Sequence, residues 1–138
     1  GSIHCGWKGL FNKVIDVFFK HFFNKLKKLK RPCGKDVYIW LGPCISQEFY
    51  TVAHELEEKF VKSATKFKAA FKVFEKQTFM DIRHIAQYQI KEALEAHKVN
   101  AIFHPNNMCT YKNRTLFFSH RRENRTGRQA SLIFKNKT

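Results

Sequence analysis

Residues Leu10 to Pro43 read LFNKVIDVFFKHFFNKLKKLKRPCGKDVYIWLGP, and a change of period inside this stretch decides the fold class. From Leu10 to Leu29 the apolar residues Phe11, Val14, Ile15, Phe18, Phe22, Leu26 and Leu29 recur at three- and four-residue steps, the repeat of an amphipathic helix. Its other face carries Lys13, Lys20, Lys25, Lys27, Lys28 and Lys30. Arg31-Pro32 and Cys33-Gly34 stop the helix, because proline removes a backbone donor and glycine tolerates a left-handed turn. Val37-Tyr38-Ile39-Trp40-Leu41 then runs apolar without interruption, is rich in β-formers and closes at Gly42-Pro43, which predicts a buried strand in the middle of a sheet.

Helix and strand keep alternating outward from this point. Gln47 to Phe60 shows helical spacing through Tyr50, Ala53, Leu56 and Phe60, which predicts a second helix. Phe67, Phe71 and Phe74 extend a helical or irregular pattern to Thr78. Asp81 has the chemistry of an N-cap, with Ile85, Gln89, Ile90 and Leu94 following at helical spacing, and this third helix ends near His97-Lys98. Val99–Phe103 and Leu116–Ser119 read as strands, and Ala130–Phe134 as a last strand after the Thr126-Gly127 turn. The expectation is a layered α/β (α+β) fold, a mixed sheet flanked by helices, with residues 1–138 forming one domain. The chain starts Gly1-Ser2-Ile3 without an initiator Met, and the expectation is a piece whose N-terminal part is lacking.

Composition narrows the class further. Hydrophobic residues make up 43% of the chain and Phe alone contributes 15, so it holds the apolar surface that a folded core requires. Twenty-six Lys and Arg against 11 Asp and Glu give a formal charge of +15, enough to attract phosphates, nucleic acid or anionic lipid. Cys5, Cys33, Cys44 and Cys109 contain no C-x-x-C pair and read as reduced thiols. No apolar run reaches membrane-spanning length and no cleavable leader is visible, so the expected location is the cytoplasm.

Two segments carry candidate chemistry. His4-Cys5-Gly6-Trp7-Lys8-Gly9-Leu10 crowds a His, a Cys and two Gly against a helix start. His4 is the better metal ligand of the two, since neighbouring side chains on extended backbone point to opposite faces. A lone His beside an apolar segment also suits a packed core position. The second segment collects Arg121, Arg122, Arg125 and Arg128 around Ser119-His120 and Thr126-Gly127. Guanidinium forks match phosphate or carboxylate, and solvated charges on a basic hairpin would have the same composition. The P-loop, Rossmann, H-E-x-x-H and G-x-S-x-G patterns are absent, which removes the common nucleotide, zincin and hydrolase templates.

Together these segments resemble the laccase-domain, or polyphenol-oxidase-like, family. His4-Cys5-Gly6-Trp7-Lys8-Gly9-Leu10 is similar to its H-A-G-W-R/K-G-L segment, and Gly42-Pro43-Cys44-Ile45 with Phe49-Tyr50 to its G-P-C-I-x-x-x-x-Y element. Asp81-Ile82 with Gln89-Ile90 is similar to its D-L…Q-L helix. Cys109-Thr110-Tyr111, Phe117-Phe118-Ser119-His120-Arg121-Arg122 and Thr126-Gly127-Arg128 are similar to its C-T-Y…F-F-S-Y-R-R…T-G-R ending. The matches fall in family order and cover nearly the whole chain, as the C-terminal portion of the family's domain. Cys5 in place of Ala, Lys8 in place of the commoner Arg and His120 in place of Tyr are departures.

The resemblance implies a purine nucleoside phosphorylase that converts adenosine, inosine or guanosine and phosphate to free base and ribose 1-phosphate, with a metal-dependent adenosine deaminase side activity. It also implies zinc, or alternatively copper, held by two His and one Cys, of which only His4 has a counterpart here. Lys8 with Arg121, Arg122 or Arg128 are the residues expected to hold phosphate, on residue type. The rival expectation is a basic module without catalysis, whose Lys-rich helix contacts nucleic acid or an anionic surface.

Overall fold

The computed structural model describes residues 1–123 and 125–134. The chain is a mixed α/β fold with one parallel and one antiparallel sheet flanked by helices. Where a single helix is predicted over Leu10–Leu29, two form, α1 at Trp7–Phe11 and α2 at Val14–Lys28. The break is at Lys13, which takes the left-handed conformation at φ 56°. The reason lies in the core. Leu10 and Ile15 are both buried, yet on one continuous helix five residues would set them about 140° apart. The corner turns both inward, and Phe19 follows them.

The strand predicted in the apolar run is β1, Asp36–Trp40, paired in parallel with β5, Asn100–His104, in the register Asp36↔Asn100 to Trp40↔His104. It is not buried in mid-sheet. Among the described residues the sheet has these two strands only, and Val37, Ile39, Ala101 and Phe103 pack on the core while Tyr38 and Trp40 face outward, 67% and 51% exposed. An unbroken apolar run reports that both faces are apolar, but not how many strands cover them.

The second predicted helix divides as well. Gln47–Phe49 is a single 3-10 turn, Thr51–Val52 is the short strand β2, and the helix α3 starts at His54 and ends at Ser63. After a 3-10 segment, Thr65–Ala70, the chain forms the hairpin β3, Phe71–Phe74, and β4, Gln77–Met80, with β4 central in an antiparallel sheet of order β2-β4-β3. Its two-residue turn, Glu75-Lys76, has both residues at positive φ, 46° and 62°. Those angles match the twist of a tight hairpin but normally draw Asn or Gly, so the turn carries no sequence signal.

Helix α4, Ile82–Glu95, begins where Asp81 predicts, with the Asp81 carboxylate accepting the His84 N–H at 2.9 Å. It buries Ile85, Ile90 and Leu94 against α2 and leads into β5. The strands predicted at Leu116–Ser119 and Ala130–Phe134 do not form; both segments are irregular. Leu132, Ile133 and Phe134 are 84%, 69% and 80% exposed, and β-prone residues without a pairing edge make no strand.

Candidate active site

Three distant parts of the sequence meet in one cleft of about 450 Å³ whose walls include Trp7, Tyr50, Thr51, Glu55, Lys59 and Arg121. Trp7 is the first residue of α1, held there by a turn in which the Leu10 N–H donates to the Gly6 carbonyl at 3.0 Å. Tyr50 and Thr51 are fixed from behind, since the Met80 N–H donates to the Tyr50 carbonyl at 3.0 Å and Thr51 pairs with Phe79. Glu55 and Lys59 lie one turn apart on α3. That helix is anchored through Glu57, a buried carboxylate that accepts Lys68 Nζ at 2.5 Å and has His54 Nδ1 at 3.3 Å.

Arg121 closes the cleft. Its Nη1 donates to the Thr51 carbonyl at 2.6 Å and lies 3.2 Å from the Thr51 hydroxyl, and its guanidinium carbon is 5.0 Å from the centre of the Tyr50 ring. This cation–aromatic geometry aims a planar, permanently charged fork with a fixed orientation. Among the described residues every hydrogen bond of Arg121 runs through Nη1. Burial pushes the Tyr50 phenol up, and the Arg121 charge opposes that shift without reversing it, so the phenol is neutral in the cleft.

The adjacent Arg122 is placed differently. Nε and Nη2 donate to one Glu123 carboxylate oxygen at 3.0 and 2.7 Å, Nη1 donates to the Thr110 and Tyr111 carbonyls at 2.8 and 2.7 Å, and Nη2 also donates to the Phe117 carbonyl at 2.8 Å. A guanidinium has five N–H groups, and five contacts within the chain engage them. Arg128 is exposed and donates to its own neighbours, the Thr126 and Gly127 carbonyls, both at 3.2 Å. Lys8 is exposed beside the cleft, its ammonium 5.6 Å from the Trp7 ring centre.

His4 is exposed on extended backbone before α1, with its ring folded back toward Gly6, and it is not among the cleft-lining residues. Among the described residues no three His, Cys, Asp or Glu side chains are grouped so as to hold a metal ion. The donors present therefore do not fit a three-ligand zinc or copper site by themselves, and His4 is a single potential ligand. Among the described residues no helix is long and apolar enough to cross a membrane. A second cleft of about 370 Å³, walled by parts of α1, α2, α3 and α4, contains none of the sequence-predicted site residues, and its Lys66 and Glu92 are paired with each other.

Residues 1–136 match the family described as multi-copper polyphenol oxidoreductase laccase. The chain belongs to that family. Among relatives of this laccase family, a purine nucleoside phosphorylase of Haemophilus influenzae is 31% identical over 136 residues, covering 96% of this chain and 50% of its own length. One of Pseudomonas aeruginosa is 32% identical over 135 residues, with the same coverage. The crystal structure of the Neisseria meningitidis protein NMB0706 superposes with a TM-score of 0.62 at 25% identity, over 86% of this chain and 44% of that one. The chain spans about half the length of the curated relatives it matches. Sequence reasoning named Trp7, Tyr50 and Arg121 through the family segments but missed Thr51, Glu55 and Lys59. Thr51 was hidden because β2 is two residues long and lies inside what reads as helix, and Glu55 and Lys59 carry no signal beyond ordinary charged positions on α3.

Proposed function

We propose that the chain supplies the phosphate- and purine-facing wall of a purine nucleoside phosphorylase acting on adenosine, inosine or guanosine. The observation that supports this most is the Arg121 guanidinium, pinned by Thr51 and Tyr50 across a cleft that also holds Lys59 and Trp7. In phosphorolysis a phosphate oxygen bonds to the anomeric carbon, the bond from that carbon to the purine nitrogen breaks, and the base leaves with the electron pair and takes up a proton. No protein nucleophile is required. What is required is a cation that holds the phosphate in line and a surface that holds the base.

Arg121 and Lys59 are assigned to the phosphate, with Lys8 at the rim, and Trp7 to a face of the purine, while the buried Tyr50 ring orients Arg121. Arg122 is assigned a positioning role, since its donors are engaged by the segment that presents Arg121. Arg128, exposed in the same C-terminal segment, is assigned as an outer cation. His4 is proposed as one ligand of zinc, with copper the alternative, which needs two further donors from outside residues 1–138; metal content of this chain beside any longer product of its gene measures that. Residues 1–138 are proposed to act as one domain, in the cytoplasm.

Incubation of that longer product with each nucleoside and phosphate should release free base and ribose 1-phosphate, and inosine formed from adenosine would report the proposed deaminase side activity. Absence of phosphate-dependent base release from the metal-loaded protein overturns the reading. The charge of +15 and the exposed Lys20, Lys25, Lys27 and Lys28 on α2 favour a second reading, a nucleic-acid- or anionic-surface-binding module. Steeply salt-dependent binding to a duplex, without nucleoside turnover, would select it.

A further inference from the structure

Outside the cleft, two cysteines that the proposed function does not use are neighbours. Cys44 follows β1 and Cys109 follows β5, and the two residues face each other as parallel bridge partners, with the Thr110 N–H donating to the Cys44 carbonyl at 3.0 Å. Such partners have α-carbons about 4.8 Å apart and side chains on one face, within the span of about 4.4–6.8 Å that a disulfide bridges. Their surroundings differ in a useful way. Cys44 is partly exposed, and Arg83 Nη2 donates to its sulfur at 3.3 Å. Cys109 is buried, and its sulfur accepts the Ser46 N–H at 3.3 Å, the Ser46 hydroxyl at 3.1 Å and the Lys112 N–H at 3.4 Å.

Burial works against a Cys109 thiolate, but those donors outweigh it and hold the thiol below its usual range. Cys5 shows the contrast, since burial alone pushes its thiol up.

We propose that Cys44 and Cys109 are a dithiol that hydrogen peroxide converts to a disulfide, Cys44 being attacked first and Cys109 resolving it. The Cys44 thiolate attacks one peroxide oxygen, the O–O bond breaks, hydroxide leaves and Cys44 becomes a sulfenic acid. The Cys109 thiolate then attacks that sulfur, the S–S bond forms, the S–O bond breaks and a second hydroxide leaves. The two protons given up by the thiols neutralise both hydroxides, so two thiols are oxidised and one peroxide is reduced to two waters. Arg83 places a donor at the attacking sulfur, and the three donors on Cys109 stabilise the resolving thiolate.

The test is peroxide treatment of the C5S/C33S variant followed by non-reducing digestion and mass analysis. A linked Cys44–Cys109 peptide, lighter by two hydrogen atoms and separated by dithiothreitol, is the expected product. C109S should leave a Cys44 sulfenic acid that dimedone traps, C44S should leave Cys109 a thiol, and S46A should slow closure by roughly three- to tenfold while keeping the fold. Both cysteines remaining alkylatable at a peroxide dose that oxidises Cys33 in the native chain would overturn the proposal. So would a Cys44 that oxidises no faster than Cys109 does in C44S.

Discussion

Replacing Arg122 by Met should unfold the C-terminal third of the chain far more readily than replacing Arg121, although the two are neighbours in sequence. The Arg122 side chain is 8% exposed and its donors reach the carbonyls of Thr110, Tyr111 and Phe117 together with Glu123. No helix or strand holds residues 110–119, so the Arg122 bonds to three carbonyls of that segment add to its backbone turns, such as Phe117 N–H donating to the Asn113 carbonyl, and to the Asn113 amide donating to the Cys109 carbonyl. A hydrogen bond from a charged group is worth about 1.5–3 kcal/mol, but the carbonyls of the half-buried Tyr111 and Phe117, unlike that of the buried Thr110, regain water when the cation is lost. The net loss is therefore below the simple sum, about 3–4 kcal/mol, with nothing counted for the solvent-facing Glu123 carboxylate. For a chain of this size that lowers Tm by roughly 10–15 °C. Arg121 is exposed and among the described residues hydrogen-bonds to Thr51 alone while lying over the Tyr50 ring, so Arg121→Met should change stability by about 1 kcal/mol or less. Thermal and urea denaturation of both variants decide the matter. An Arg122→Met protein that melts within about 2 °C of the parent, or an Arg121→Met protein equally destabilised, would refute the division of roles.

The complementary prediction concerns activity: in a phosphorylase assay Arg121→Ala should reduce kcat/KM by about 100-fold and weaken the dependence on phosphate, with Lys59→Ala weakening it less. Lys68→Met should destabilise by about 3 kcal/mol, because it leaves the buried Glu57 carboxylate with only His54 beside it; adding Glu57→Leu should recover most of the loss in urea titrations. Arg122 holds the Glu123 carboxyl below its usual range, so its contribution to stability is fully present above an unfolded value of about 4.3 and is lost as pH falls through the lower folded value. Glu123→Gln should therefore match the parent ever more closely as the acid limb is descended, measured by urea midpoints between pH 5 and about pH 2.5.

How much of this was legible in sequence depended on whether a signal was local. Asp81 announced α4 because a capping carboxylate acts within three residues of itself, whereas α2 ends at Lys28 through a left-handed Lys30 at φ 50°, ahead of Pro32, and Gly34 does not take the left-handed turn expected of it. The Glu75-Lys76 hairpin was missed because its backbone sits in a conformation that the sheet enforces and neither residue prefers, while Phe67, Phe71 and Phe74 happen to repeat at a helical step. The break at Lys13 was missed for a related reason. An apolar stripe shows that residues are buried, but not that Leu10 and Ile15 must enter the core from two different axes.

The site was harder still, because its walls are separated by more than forty residues on one side and sixty on the other, and nothing in the run from Trp7 to Arg121 says that they meet. Residue type alone made Arg121, Arg122 and Arg128 equivalent. What distinguishes them is the neighbouring acceptor set. The carbonyls of Thr110, Tyr111 and Phe117 converge on Arg122, whereas Arg121 finds one threonine and the face of a tyrosine, which fixes its plane. A guanidinium whose donors are all matched inside the chain stabilises a loop, and one oriented by an aromatic ring at the edge of a cleft is set to meet an anion from solution. The same sequence pair, Arg121-Arg122, thus divides anchoring from the proposed anion binding, and the order of the two residues follows from which of them faces β2.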